Sequence, residues 1–323
     1  MLIEHALSIT LAVIIDRIIG DPPSWPHPVK WFGKMIAFLD KQLNNGGAQT
    51  RKWKGVWMLL IIILAVLLPS LLICMAAYSI HPLVGILVEG IIIAATIAQK
   101  SLKDAALEVY EPLQKEDLKE ARLKLSYIVG RDTEHLPEPE IVRGTVETVA
   151  ENTSDGVTAP MFWALVGGAP LALVYRAINT CDSMVGYKNE NYQDFGWASA
   201  RMDDAVNWIP SRLTGFMMLL ANRPLKTNRK ETWRILFRDA KKHPSPNSGW
   251  CEAAAAALLG VQLGGINTYK GMVSNRARMG DPLVTLESKD ILKMNRILSQ
   301  TVDLFLILLW LGGVLVEMAV TWI

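Results

Sequence analysis

The sequence predicts an all-α, polytopic helical membrane protein with re-entrant or broken helices and cytoplasmic helical segments. Three observations carry that reading. Residues 55–80 run for 26 positions without Asp, Glu, Lys or Arg, and about 20 apolar residues suffice to cross a bilayer. Hydrophobic residues make up 51% of the 323-residue chain and the mean hydropathy is +0.24, yet 20% of residues are charged, so substantial polar segments lie outside the bilayer. Finally, no strand pattern of useful length, internal repeat, heptad run or low-complexity tract competes with the helical reading.

Taken in order, residues 5–15 are apolar but too short for a span, and Asp16 and Arg17 follow at once. They read as an interfacial or packed helix, and the lack of a basic leader argues against a signal peptide. Residues 56–99 predict a transmembrane hairpin turning at His81-Pro82, kinked at Pro69 and interrupted only by Glu89, with Trp53 and Trp57 as interfacial anchors. Residues 101–155 form a cytoplasmic helical segment. Within it two amphipathic helices separate near Pro112, and Leu118, Ala121, Leu125 and Ile128 share one face. Residues 156–265 are a motif-rich core, where 156–175 and 205–222 are weaker span candidates. Residues 304–323 form a C-terminal span with one acid, Glu317. The whole reads as a single integral-membrane domain.

Orientation follows from the basic flanks. Lys41, Arg51, Lys52 and Lys54 precede the hairpin, and residues 223–242 hold eight Lys/Arg against Glu231 and Asp239, so both flanks read as cytoplasmic. A full crossing by residues 156–175 would put the polar segment 179–204 outside. A re-entrant pair of half-helices broken at Gly167-Gly168-Ala169-Pro170 would keep it inside, and re-entry is the preferred reading.

The net charge of +2 argues against nucleic acid as a partner. Cys74, Cys181 and Cys251 are far apart and the five histidines are scattered, which excludes a zinc framework. Neither a P-loop nor a dinucleotide fingerprint is present. Four polar clusters remain: DRIIGDPPSWPHPV (16–29), ENTSDGVTAP (151–160), the segment 179–210, and HPSPNSGWCE (243–252). Their Asp, Asn, Ser/Thr and Lys/Arg beside apolar segments suit Mg²⁺ and phosphate, with Lys188 and Arg201 as phosphate partners. Bland readings stand beside these. Gly20-Asp21-Pro22-Pro23 also reads as a turn, and Glu151-Asn152-Thr153 as a helix cap. Asp203 and Asp204 are placed at a helix start, about 100° apart, where one serves as a dipole-stabilising cap. His243 reads as a loop residue.

These motifs, in this order and over most of the chain, resemble the CobD/CbiB family, the adenosylcobinamide-phosphate synthases of cobalamin biosynthesis. The resemblance runs through GDPPSWPHPVKWFGK (20–34), ENTSDGVTAPMFW (151–163), residues 179–213 and SPNSGWCEAAAAALLGVQLGG (245–265). It implies an ATP-dependent amide ligase. Such an enzyme attaches (R)-1-amino-2-propanol, or its O-phosphate, to the free propionate of adenosylcobyric acid. ATP is a substrate and Mg²⁺ the ion.

On that resemblance Asp182, Lys188, Arg201 and Asp204 are expected to be catalytic. Asp155, Asp182, Asp203 and Asp204 are expected to face metal. Asn152, Ser154, Asn179, Tyr187, Ser245, Asn247 and His27 are expected to bind substrate or nucleotide. The expected setting is the inner membrane with a cytoplasm-facing site. Association with other late membrane-bound steps, or with a second copy, is left open. The alternative from another class is a non-catalytic sensor or transporter, because broken helices and an intramembrane acid such as Glu89 also occur there.

Overall fold

In the computed structural model, which describes residues 1–22 and 27–321, long apolar helices dominate. Residues 23–26 of the first polar cluster and the last two residues of the 304–323 span lie outside the described residues. The helices are α1 (Leu2–Ile18), α2 (Pro28–Leu43), α3 (Ala48–Ile80), α4 (Pro82–Ala94), α5 (Gln99–Gln114), α6 (Leu118–Ser126) and α7 (Glu138–Thr153). A π-helical turn, Ser154–Thr158, joins α7 to α8 (Ala159–Val185). Then come α9 (Trp197–Val206), α10 (Trp208–Ala221), α11 (Arg229–Asp239) and α12 (Ser248–Leu259). A hairpin of β1 (Leu263–Tyr269) and β2 (Met272–Met279) precedes α13 (Lys289–Thr321). Among the described residues, four helical stretches are long and apolar enough to cross a membrane: Ala48–Ile80, Pro82–Gln114, Glu138–Val185 and Lys289–Val320. The chain is therefore a polytopic helical membrane protein. The 205–222 candidate is not among these stretches.

The chain divides into two compact units. The first comprises Met1–Ala98, Val157–Asn207 and Leu306 onward. In it α1 packs on α4, and α3 on α4 and α8. Its core gathers Phe32 and Ile36 of α2, Met58, Leu59 and Ile62 of α3, and Ala177, Ile178 and Cys181 of α8. The lipid-facing side of α3 shows Leu60, Ile61, Leu64, Leu68 and Leu72, as a spanning helix requires. The second unit comprises Gln99–Gly156 and Trp208–Phe305. Its centre is α12, buried along its whole length and packed by α7, α10 and α11.

Element boundaries and one element differ from the sequence pattern. The expected second span lies within Pro82–Gln114, where α4 ends at Ala94, the Thr96 hydroxyl donates to the Ile93 carbonyl, and α5 begins at Gln99. The amphipathic helices separate just past Pro112, as expected: α5 runs to Gln114, and Glu116 at φ 58° makes the break. Asp117 then caps α6 by accepting from the Glu120 amide at 3.0 Å. The hairpin is the clearest departure from a helix-only reading. Its two-residue turn places Lys270 (φ 51°) and Gly271 (φ 79°) in the left-handed region, the geometry tight hairpins need. The Asp132 carboxylate accepts from both turn amides at 2.9 Å. A lysine at positive φ is held there by a residue distant in sequence, a non-local cause no strand pattern displays.

The Gly167-Gly168-Ala169-Pro170 motif breaks α8, as expected. Gly167 and Gly168 leave helical geometry, and Gly168 (φ 65°, ψ −161°) adopts a conformation open essentially to glycine alone. Pro170 sits in the first turn of the second half-helix, where its missing N–H costs nothing.

Candidate functional site

In the first unit, α9 runs antiparallel along the second half of α8. Gly196 permits the return: a Cβ there would overlap the Val185 carbonyl oxygen. Farther along, the Trp163 indole donates to the Val206 carbonyl at 3.0 Å. Two polar stripes therefore face each other. Tyr175, Asn179 and Asp182 recur at i, i+4 and i+7 on α8; Asp203 and Asn207 lie four apart at the end of α9. Asn179 donates to Asp203 Oδ1 at 3.2 Å, and the Tyr175 hydroxyl donates to Asn207 Oδ1 at 2.8 Å.

Asp203 and Asp204 occupy the last turn of α9, not a helix start, so the dipole-cap reading is withdrawn. At a C-terminus the helix field opposes a carboxylate. Asp182, too, lies in the final turn of α8. Burial, then the charge of Asp182, raises the Asp203 carboxyl to about 7, although Asn179 and Asn207 pull it down. Burial also raises Asp204, against Arg201 and Lys188, which face it and favour its charge. Lys188 and Arg201 are exposed, as is Tyr187. Carboxylates gathered at two negative helix ends, with cations at the rim, are an arrangement that a bound cation would relieve. Among the described residues, no group of three or more His, Cys, Asp or Glu is placed to hold a metal by itself.

The second unit brings residues 151–156 of the second polar cluster together with the 243–252 motif. Ser248 donates to Glu151 Oε1 at 2.7 Å, and Asp155 lies near enough to raise the buried Cys251 thiol electrostatically, after burial itself. Asn152 is not a cap of the next helix: it sits inside α7 and donates to the Thr148 carbonyl at 2.9 Å. Ser154 is buried in the π-helical turn, a feature frequent at functional sites. Asn247 is buried, and its Oδ1 accepts from Ser211 and from Arg212, both at 3.3 Å. Arg212 lies over the rings of Trp208 and Trp250. Ser245 Oγ accepts from the Asn247 amide at 3.2 Å. His243 Nδ1 accepts from the Ser245 amide, and Nε2 points at Glu252 Oε1 at 3.5 Å. Burial holds Glu252 well above the usual carboxyl range and pulls His243 below the usual imidazole value.

Below this, Glu147 is ion-paired to Arg131 and Arg143 and accepts from the Gly264 amide at 2.7 Å. Arg143 also donates to the Gly264 and Ile266 carbonyls, so this network ties the hairpin to α7.

His27 caps α2: its Nδ1 accepts from the Val29 amide, leaving Nε2–H to donate to Asp21 at 3.1 Å. Sequence reasoning missed Tyr175, Asn207, Glu147, Glu151, Arg212 and Glu252. The signals were present. Tyr175 shares a helical face with Asn179 and Asp182, and Glu140, Arg143, Glu147 and Glu151 form a charged stripe on an otherwise buried α7.

These features define a polytopic membrane protein with buried polar clusters at the ends of its helices. The chain belongs to the CobD/CbiB family: residues 9–298 match the family described as CobD/Cbib protein. It is 55% identical over 314 residues to "Cobalamin biosynthesis protein CobD" of Halalkalibacterium halodurans, covering 97% of this chain and 98% of that one. It is 48% identical to the protein of the same name from Geobacter metallireducens, covering 88% of this chain and 89% of that one. Identity to "Cobalamin biosynthesis protein CbiB" of Salmonella typhimurium is 43%, over 89% of this chain and 91% of the relative. No solved structure matches.

Proposed function

We propose that this chain acts in cobalamin biosynthesis as an ATP-dependent amide ligase. It joins (R)-1-amino-2-propanol, or its O-phosphate, to the free propionate of adenosylcobyric acid at the cytoplasmic face of the inner membrane. Near full-length similarity to cobalamin biosynthesis proteins supports the pathway. The observation that carries the chemistry is the Asp182–Asp203–Asp204 cluster, with Asn179 inside it and Lys188 and Arg201 at its rim. The basic 223–242 segment supports the orientation.

A carboxylate is a poor acyl donor, so the propionate must be activated first. Its oxygen attacks the γ-phosphorus of ATP, the bond to the β-bridging oxygen breaks, and ADP leaves. Lys188 and Arg201 neutralise the charge of the transferring group. Asp182 and Asp203 would hold Mg²⁺, which supplies phosphate neutralisation; one or two carboxylates plus phosphate oxygens are its usual set. Asp204, raised by burial yet flanked by cations, takes the proton from the substrate ammonium. The freed amine nitrogen attacks the acyl carbon, inorganic phosphate departs with the C–O electron pair, and the nitrogen's second proton leaves with the phosphate. Asp155, also expected to face metal, belongs to the second unit.

The reading is tested by ATP turnover of the purified protein in detergent. Hydrolysis should require both the corrinoid acid and the amine. Turnover indifferent to either substrate, or its absence with both present, would sink the proposal.

A further inference from the structure

The break in α8 falls within a stretch apolar enough to cross a membrane, and the two helix ends it leaves need partners from the protein, because lipid offers none. Both partners come from other helices of the same unit. At the first end, the Leu165 carbonyl lies 3.1 Å from His5 Nδ1 of α1, so that nitrogen is the N–H donor. At the second end, the Ala169 amide donates to Glu89 Oε1 of α4 at 3.1 Å. The signs match the helix field, a donor at the carbonyl end and a carboxylate at the amide end. Ser8 Oγ and the Tyr78 hydroxyl fix the other carboxylate oxygen, at 3.0 and 2.8 Å. His5 Nε2 stands 3.7 Å from Glu89 Oε1, so the two caps also face each other. A Cβ on Gly168 would overlap Glu89 Oε1 and stand 3.2 Å from His5 Nε2. The glycine is thus required by the clamp as well as by its φ.

We infer that Glu89 and His5 are positioning residues: they clamp the break and thereby aim the second half of α8, which carries Asn179 and Asp182. Asp182 lies 13 residues beyond Ala169, about 20 Å along the helix. A tilt of about 10° at the break would move it by roughly 3 Å, and misplacements of about 1 Å already cost on the order of 10² in rate. Only what the aimed groups do rests on the ligase reading; the clamp does not.

The test uses the full chain in detergent with Ser183→Cys, an exposed site next to Asp182, as a labelling reporter; the three native cysteines are buried. Glu89→Leu removes the acceptor, whereas Glu89→Gln keeps one oxygen for the Ala169 amide. Maleimide labelling at Ser183→Cys should change at least fivefold in Glu89→Leu and stay within twofold in Glu89→Gln. Product formation should fall at least tenfold in the first and no more than threefold in the second. A folded Glu89→Leu protein labelling at the parent rate would overturn the inference. If Glu89→Leu does not fold, Glu89→Gln decides: labelling within twofold supports capping, and a fivefold shift refutes it. Labelling that shifts as expected in a protein that makes no product leaves the clamp standing and removes the ligase reading.

Discussion

Asp203→Asn should stabilise the protein at alkaline pH while abolishing its function. The side chain is 8% exposed, and its carboxyl is raised from 3.8 to about 7, first by burial and then by Asp182. A carboxyl with a higher pKa when folded takes up its proton more readily in the folded chain. Stability is therefore lost as pH rises from the unfolded value toward 7, and the full penalty is present above it. At 1.36 kcal/mol per unit the penalty reaches about 4 kcal/mol. Roughly 3 kcal/mol of it falls between pH 5 and pH 8. The isosteric amide removes the charge and keeps an acceptor for Asn179. Thermal unfolding in detergent with EDTA should give Asp203→Asn an apparent Tm several degrees above the parent at pH 8, with the gap narrowing toward pH 5. Adding Mg²⁺ at pH 8 should raise the parent's Tm and leave the variant's unchanged. A variant less stable than the parent by the same margin at both pH values would show that Asp203 is an ordinary structural hydrogen-bonding residue.

Lys188→Ala and Arg201→Ala should each lower amide formation by about 10² without loss of membrane expression, since both residues are exposed; steady-state rates on equal amounts of folded protein check this. Arg143→Leu should cost about 3–5 kcal/mol, because it removes one of the two cations on buried Glu147 and the donors that hold β1; a large drop in apparent Tm is the readout, and an unchanged Tm would contradict it. Cysteines introduced at Gln49 and Lys103 should both label only from the cytoplasmic side, and labelling of either by an impermeant external reagent would reverse the orientation.

What was legible in the sequence is what depends on local composition. The 55–80 span needed only its length without charge, and the α8 break only its Gly-Gly-Ala-Pro. Asn179 and Asp203 fell within one motif and do meet in space. The hairpin was missed because Lys270 holds its positive φ through Asp132, 138 residues away. The placement of Asp203 and Asp204 failed for a similar reason. Gly196 starts α9 by closing on the Val185 carbonyl, and that contact, not a capping residue at position 203, sets the helix register. The partners of Glu89 were hidden because they come from α1, α3 and α8, which share no motif with it.

The most direct test is mass-spectrometric identification of what the purified protein makes from adenosylcobyric acid, ATP, Mg²⁺ and aminopropanol phosphate. The expected product is the corrinoid bearing one new amide at the free propionate, with one ADP and one phosphate released per amide, and it should fall by about 10² or more with Asp182→Asn and by about 10² with Lys188→Ala. A corrinoid recovered unchanged from folded protein, with ATP intact, would contradict the assignment of this membrane cluster as an amide-forming site.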